Sequence, residues 1–314
     1  MLLGIFYALI AGLMWGIVFV APLLLPDYPP ALLAVGRYLA FGLIALPLAW
    51  ISRAGLRQLT RADWREAFKL AAVGNLLYYF CLATAIQRAG GPLPTMIIGT
   101  LPVVIALAAN MRNVRRDGQL PWKKLALPLT LIVAGLACVN HSELNALNAV
   151  AHTQRYASGV ALAVAALLCW TWYPLRNADW LRNHPGRNPG HWAIAQGLAT
   201  LPLALLGYAL LSVYMSSTTP SFELPLGPRP AFFAAMMLGI GLLSSWIGTL
   251  CWNEASQRLP TALVGQLIIF ETLAALSYTF LLRGHWPEAA TQLGIALLIG
   301  GALSAVRIKP VQKS

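Results

Sequence analysis

Three ionisable side chains fall within otherwise apolar stretches of this 314-residue chain: Arg37, Glu254 and Glu271. A charge at the centre of a membrane-spanning helix costs roughly 2.5–3.5 kcal/mol on insertion scales, so each is expected to face protein or water. Glu271 stands near the middle of the apolar run 261–282, and Ala274, Ala275 and Tyr278 follow it at helical spacings of three, four and seven. One helical face therefore carries a carboxylate, two small residues and a phenol, a combination suited to the wall of a cavity. Burial favours the neutral acid and would allow proton coupling, whereas a partner cation favours the carboxylate, and the residues leave both open. The plainer role is a glutamate that holds two helices together by hydrogen bonds. Arg37 lies about one and a half turns inside its run, from where it can snorkel to the interface or turn inward to hold a substrate carboxylate or pair with Glu271. Glu254 precedes Arg258 by four residues, the spacing of an ion pair at a helix end.

Aromatic residues give the second signal. Trp15, Tyr78, Tyr79, Trp170, Trp172, Tyr173, Trp246 and Trp252 sit inside apolar runs, and Trp246 follows Ser244 and Ser245. They serve either cavity lining or helix packing. Asn75, one turn before Tyr79, and Gln266 add neutral hydrogen-bonding groups. A mostly apolar cavity with a few polar groups suits small amphipathic solutes. Trp50, Trp64, Trp122, Trp180, Trp192 and Trp286 fall at run ends and are assigned to the interfacial belts. Metal, covalent and nucleotide chemistry find no motif. The five histidines form no His-Glu-x-x-His pair, no GxSxG elbow or phosphate-binding loop occurs, and Cys81, Cys138, Cys169 and Cys251 sit apart in apolar segments. No cofactor, metal or enzymatic activity is expected.

These residues are carried by a chain that is 58% hydrophobic and only 10% charged, against about 25% charged in an ordinary soluble domain. The net charge of +12 is spread singly between apolar runs, which argues against nucleic acid as a partner and for the lipid bilayer. The N-terminus lacks a basic leader with a cleavage site, so its first run is retained as a spanning helix. Ten runs emerge, at 2–25, 31–50, 68–86, 93–111, 125–139, 159–174, 192–214, 231–253, 261–282 and 291–306. The expected fold is an all-α polytopic membrane protein with ten transmembrane helices. Placing both termini in the cytoplasm puts 17 of the 22 lysines and arginines on that side and leaves Arg88, Arg155, Arg229 and Arg283 on the other, as positive loops require.

The chain also aligns with itself. At an offset of 155, Leu13-Met14-Trp15 lies over Leu168-Cys169-Trp170, Gly42 over Gly197, and Leu46-Pro47-Leu48-Ala49 over Leu201-Pro202-Leu203-Ala204. At an offset of 170, Cys81 lies over Cys251 and Gln87-Arg88 over Gln257-Arg258. Five helices per unit is an odd number, so the second unit must enter the membrane from the opposite side. The reading is two inverted five-helix repeats, 1–140 and 157–308, an architecture of secondary transporters.

Trp15-Gly16, Arg37, Thr100-Leu101-Pro102-Val103 and Ile269-Phe270-Glu271-Thr272-Leu273, in this order across two repeats, resemble the drug/metabolite transporter superfamily, EamA type. The resemblance covers nearly the whole chain and implies a bacterial inner-membrane secondary transporter that exports small metabolites such as amino acids by alternating access. Where that family often has Glu-Pro, this chain has Glu271-Thr272, so a proline kink is not expected there. The residues that would hold substrate are Glu271, Trp246, Tyr78, Tyr79, Trp15, Trp170, Arg37, Asn75, Gln266 and Tyr278. Their aromatic rings and paired charges lean towards a zwitterion with an apolar or ring-shaped side chain. A cationic drug or a nucleobase with Glu271 as counter-ion is the alternative, and a non-transporting membrane scaffold is the alternative of another class. A proton is the candidate coupling ion, and oligomeric state is left open.

Overall fold

Lipid offers a backbone no hydrogen-bond partner, so each apolar run must satisfy its own amides, and a helix does so. A computed structural model describes residues 1–89, 92–112, 121–147, 153–284, 286 and 289–308, in which the regular structure is helical. The helices are α1 (Leu2–Leu24), α2 (Pro30–Ile51), α3 (Arg61–Ala89), α4 (Pro92–Gly99 and Leu101–Met111), α5 (Trp122–Leu147), α6 (Thr153–Asn183), α7 (Pro189–Thr218), α8 (Pro230–Arg258), α9 (Thr261–Leu267 and Ile269–Arg283) and α10 (Ala289–Val306). Among the described residues, seven stretches are long and apolar enough to cross a membrane: α1, α2, α3, α6, α7, α8 and the 22 residues Thr261–Leu282 of α9. Ile97–Met111 and Ala289–Gly301 are shorter apolar helices. The chain is an all-helical polytopic membrane protein. Arg115, Arg116, His152, His285, Lys309 and Lys313 lie outside the described residues, as do the side chains of Arg283 and His141.

Several helices outrun their apolar stretches. α3 begins at Arg61 because Thr60 and Asp63 form a reciprocal capping box, with Asp63 N donating to Thr60 Oγ1 (3.2 Å) and Thr60 N to Asp63 Oδ2 (2.8 Å). α6 does not stop at Pro174 but continues to Asn183. A proline within a helix forfeits one backbone bond without ending it, and the polar residues that follow make the apolar signal fade where the helix goes on. At 31 residues, α6 is about 46 Å long, well beyond the roughly 30 Å of a hydrocarbon core. Its last turns are tied sideways: Arg176 bridges to Glu66, and Arg112 to Asp179 (3.1 Å).

α9 breaks at Ile268, whose carbonyl accepts from Glu271 N at 2.9 Å in a tight turn, with no proline present. α4 breaks likewise at Thr100, between Gly99 and Leu101. Two further irregularities stand 170 residues apart: π-helical turns at Leu70–Leu77 in α3 and at Gly241–Ile247 in α8. Such turns account for well under 1% of residues and often mark functional sites.

Small residues set the closest helix approaches. A methyl built on Gly16 would come 2.5 Å from Ala274 Cβ, and one on Gly12 would come 2.9 Å from Glu271 N, so α1 lies directly on α9. Gly42 and Gly197 occupy the α2–α7 crossing, meeting Leu201 and Ala45 respectively. Gly4 abuts Arg258 and Leu259, while Gly159 abuts Arg88 and Ala89. α1 therefore starts beside Arg258, and the turn after it, at Tyr28, receives a hydrogen bond from Gln87 Nε2 (2.9 Å) next to Arg88. Arg88 and Arg258 stand at opposite ends of α1.

Two of the six tryptophans assigned to the belts are instead interior. Trp180 and Trp192 are buried and stack at 3.6 Å, 7° apart. Their indole N–H groups donate to Asp63 Oδ1 and Asn177 Oδ1, both at 2.8 Å. Trp180, on the long end of α6, is thus covered by Trp192 of α7 and Asp63 of α3, and Trp192 in turn by α6. Trp50, Trp122 and Trp286 are exposed, as a belt requires. Asn177 is the hub of a buried polar chain, accepting from Trp192 and Gln196 and donating to Asn253. Asn177→Leu leaves three buried groups unpartnered and is expected to cost about 3 kcal/mol, several degrees of thermal midpoint in detergent. An unchanged midpoint would show the chain to be dispensable.

Candidate functional site

At the centre of the bundle, aromatic rings from four helices form one body. Tyr78 (α3), Trp170 and Tyr173 (both α6) stack in sequence, with centroids 4.5 Å and then 5.0 Å apart and planes within 16°. Trp15 (α1) packs edge-on against Trp170 at 4.9 Å and tilts over Trp252 (α8) at 5.0 Å. Its indole N–H donates to the Ser244 carbonyl (2.9 Å), and Ser244 Oγ donates back to the Met14 carbonyl (2.6 Å). The π turn of α8 makes this geometry available, because its extra residue turns both Ser244 and Ser245 inward.

Arg37 does not snorkel. It is 4% exposed, its Nε donates to Ser245 Oγ at 2.9 Å, and its guanidinium lies over the rings of Tyr38 (4.8 Å) and Tyr79 (4.6 Å). Cation–π contact of this kind offsets part of the desolvation of a buried charge. Glu271, also buried, makes no ion pair with Arg37. Trp170 Nε1 faces its carboxyl without reaching hydrogen-bond geometry. The arrangement leaves Arg37 Nη1, Tyr78 Oη, Trp170 Nε1, Trp252 Nε1 and Glu271 Oε2 buried and unpartnered. Each such group costs about 1–3 kcal/mol if nothing satisfies it, and native proteins tolerate few. Donors and an acceptor clustered beside stacked rings can hold a small amphipathic molecule or water.

Six of the ten expected site residues are thus gathered: Trp15, Arg37, Tyr78, Tyr79, Trp170 and Glu271. Asn75 joins at one remove: it donates to Thr200 Oγ1 (3.0 Å), Thr200 to the Gln196 carbonyl (2.6 Å), and Tyr173 Oη to Gln196 Oε1 (2.7 Å). Gln266 is fully buried in Thr261–Leu267 with both amide atoms unpartnered. Trp246 and Tyr278 stand apart. The π turn carries Trp246 to a half-buried position off the inner face, and Tyr278 Oη donates to the Leu13 carbonyl (3.0 Å) as a strut between α9 and α1. The face of Glu271, Ala274 and Ala275 is not an open wall, because α1 covers it through Gly12 and Gly16. Tyr38 and Ser245, the partners of Arg37, and the hub Asn177 have no sequence motif. Glu254 pairs with Arg258, as its spacing predicts.

Two cavities of about 600 Å³ lie elsewhere, and Glu271 lines neither. One, of about 590 Å³, is an apolar groove between α2, α3 and α7. The other, of about 600 Å³, is polar and lies where α3 and α6 meet near Pro30.

The many apolar helices around a buried, partly unsatisfied polar centre define a multi-span membrane protein. The EamA-like transporter family matches residues 2–140. The inner membrane protein YtfF of Escherichia coli strain K12 is 56% identical over 310 residues, covering 99% of this chain and 97% of its own. The chain belongs to the EamA-like transporter family. A crystal structure with 18% sequence identity superposes with a TM-score of 0.70 over 96% of both chains, a likeness of fold. Membership in a transporter family implies passage of small molecules across a membrane and not bond-making catalysis.

Proposed function

We propose that the chain is a secondary transporter of ten spanning helices. Its two five-helix halves, 1–140 and 157–308, would be inserted in opposite senses in a bacterial inner membrane with both termini cytoplasmic. Features that recur at the repeat offsets support the halves. Gly4 and Gly159 each abut a Gln-Arg helix end, Gly42 and Gly197 form one crossing, Trp15 and Trp170 touch, and the π turns correspond. The bias of lysine and arginine supports the orientation, and the similarity to an inner membrane protein supports the compartment.

The substrate class is a small amphipathic metabolite such as an amino acid, with a lean towards apolar or ring-shaped side chains, moved outward by alternating access. One observation carries this reading: Arg37 Nη1 and Tyr78 Oη from one half, and Trp170 Nε1 and Glu271 Oε2 from the other, are buried together without partners. A zwitterion offers a carboxylate to the first charge, an ammonium to the second and a side chain to the ring stack. Glu271 is the group on which a coupling proton would ride. A second reading has one specific support. Arg37 already holds Ser245 and two ring faces while Glu271 Oε2 holds nothing, so a cation with Glu271 as counter-ion also fits. Counterflow in proteoliposomes across amino acids, nucleobases and quaternary ammonium compounds decides. Exchange of apolar or aromatic amino acids is expected, exchange of cations alone would favour the second reading, and no exchange of any solute would favour a scaffold.

A further inference from the structure

The two Gln-Arg helix ends share their surroundings but differ in charge. Gln87 donates to the Tyr28 carbonyl (2.9 Å), and Gln257 to the Arg187 carbonyl (3.1 Å), each closing the turn between two neighbouring helices. Arg258 is neutralised: Glu254, one turn earlier on α8, pairs with it, and its guanidinium lies over Tyr7 at 5.3 Å. At the same offsets, the position of Glu254 is held by Thr84 and that of Tyr7 by Leu162. Among the described residues, Arg88 has neither a carboxylate nor a ring against it, and it donates to Ser158 Oγ (3.0 Å).

Arg88 instead faces the polar cavity of about 600 Å³, whose lining includes Thr84, Gln87, Gln154, Arg155 and Ser158. Arg155 adds a second guanidinium, which donates to the Gln87 carbonyl at 3.3 Å. Among the described residues no carboxylate lies within ion-pair distance of either arginine. Two guanidinium groups converge on one open cavity, where a bound anion would offset their mutual repulsion.

We propose that this cavity is a binding site for an oxyanion, a carboxylate or a phosphate, held between Arg88 and Arg155 with Gln87, Gln154 and Ser158 around it. Guanidinium groups match such ligands in shape as well as charge. The anion is either a free solute or the headgroup of an anionic phospholipid reaching in from the bilayer. The site stands apart from the central cluster and does not depend on which solute that cluster carries.

The test uses the purified full-length chain in detergent at constant ionic strength. Inorganic phosphate is titrated calorimetrically, and retention of phosphatidylglycerol is compared with that of phosphatidylcholine by native mass spectrometry. Arg88→Gln and Thr84→Glu are each expected to weaken binding about tenfold or more, the loss of one charge-assisted contact. Thr84→Glu rebuilds at this end the pair that Glu254 and Arg258 already form in the same fold, so it keeps the proposal testable should Arg88→Gln fold poorly. Phosphate binding lost in both variants supports a soluble anion, and phosphatidylglycerol retention lost in both supports a lipid headgroup. Absence of both ligands from the wild type, or binding unchanged in Thr84→Glu, overturns the site.

Discussion

Glu271→Gln is expected to reduce counterflow at least about tenfold, the loss of one hydrogen bond to a charged group, while membrane insertion and thermal midpoint stay near wild type. Glutamine keeps the volume of the side chain and a carbonyl acceptor but can neither carry a charge nor exchange a proton. The Glu271 carboxyl is buried, with Oε2 unpartnered, so neutralising it removes a group the fold does not use for cohesion. Transport driven by an imposed pH gradient would be lost in the same variant if a proton is the coupling ion. Glu254→Gln is the contrast. Its partner Arg258 is one turn away on the same helix and partly exposed, a pairing worth about 0.3–0.5 kcal/mol, so its transport should stay within about twofold of wild type. Wild-type counterflow by Glu271→Gln would remove that residue from the mechanism.

Gly16→Val is expected to be the most damaging change outside the charged groups. A Cβ there would meet Ala274 Cβ at 2.5 Å and the backbone nitrogen of Ala275 at 2.8 Å, and neither can rotate aside. α1 would have to lift from α9. Overpacking of this kind costs about 1–3 kcal/mol, and the lift would also displace Trp15 from Trp170 and uncover Glu271. A thermal midpoint lowered by several degrees, together with lost counterflow, is the expected result. Gly239→Ala supplies the control: nothing lies within 4 Å of its Cβ position on α8, so the change should be neutral or stabilising by about 0.5–1 kcal/mol. Equal midpoints for the two variants would contradict the close α1–α9 contact.

The two residues that anchor these predictions were visible before any coordinates. Glu271 and Arg37 stand out because a charge in an apolar run is expensive wherever it ends up. Glycines 12 and 16, four apart in sequence, put two small residues on one face of α1, a packing signal that hydropathy does not register. The apolar run 159–174 is shorter than α6 for a physical reason. Hydropathy measures what lipid accepts, and the polar segment after Pro174 is accepted by protein instead, through Asp63, Glu66 and Asn253. The same cause hid Trp180 and Trp192, whose place at run ends reads as a membrane interface until a neighbouring helix is laid across them.

Local composition and period are enough to establish a helical membrane protein and its family resemblance, because each depends on residues near in sequence and on the cost of polar groups in lipid. Which rings stack, that Arg37 rests on Ser245 and two tyrosines, and that α1 closes over the Glu271 face are set by how nearly helices approach one another. Those approaches turn on small residues and on π turns that shift a face by one residue, and such shifts leave no mark on hydropathy.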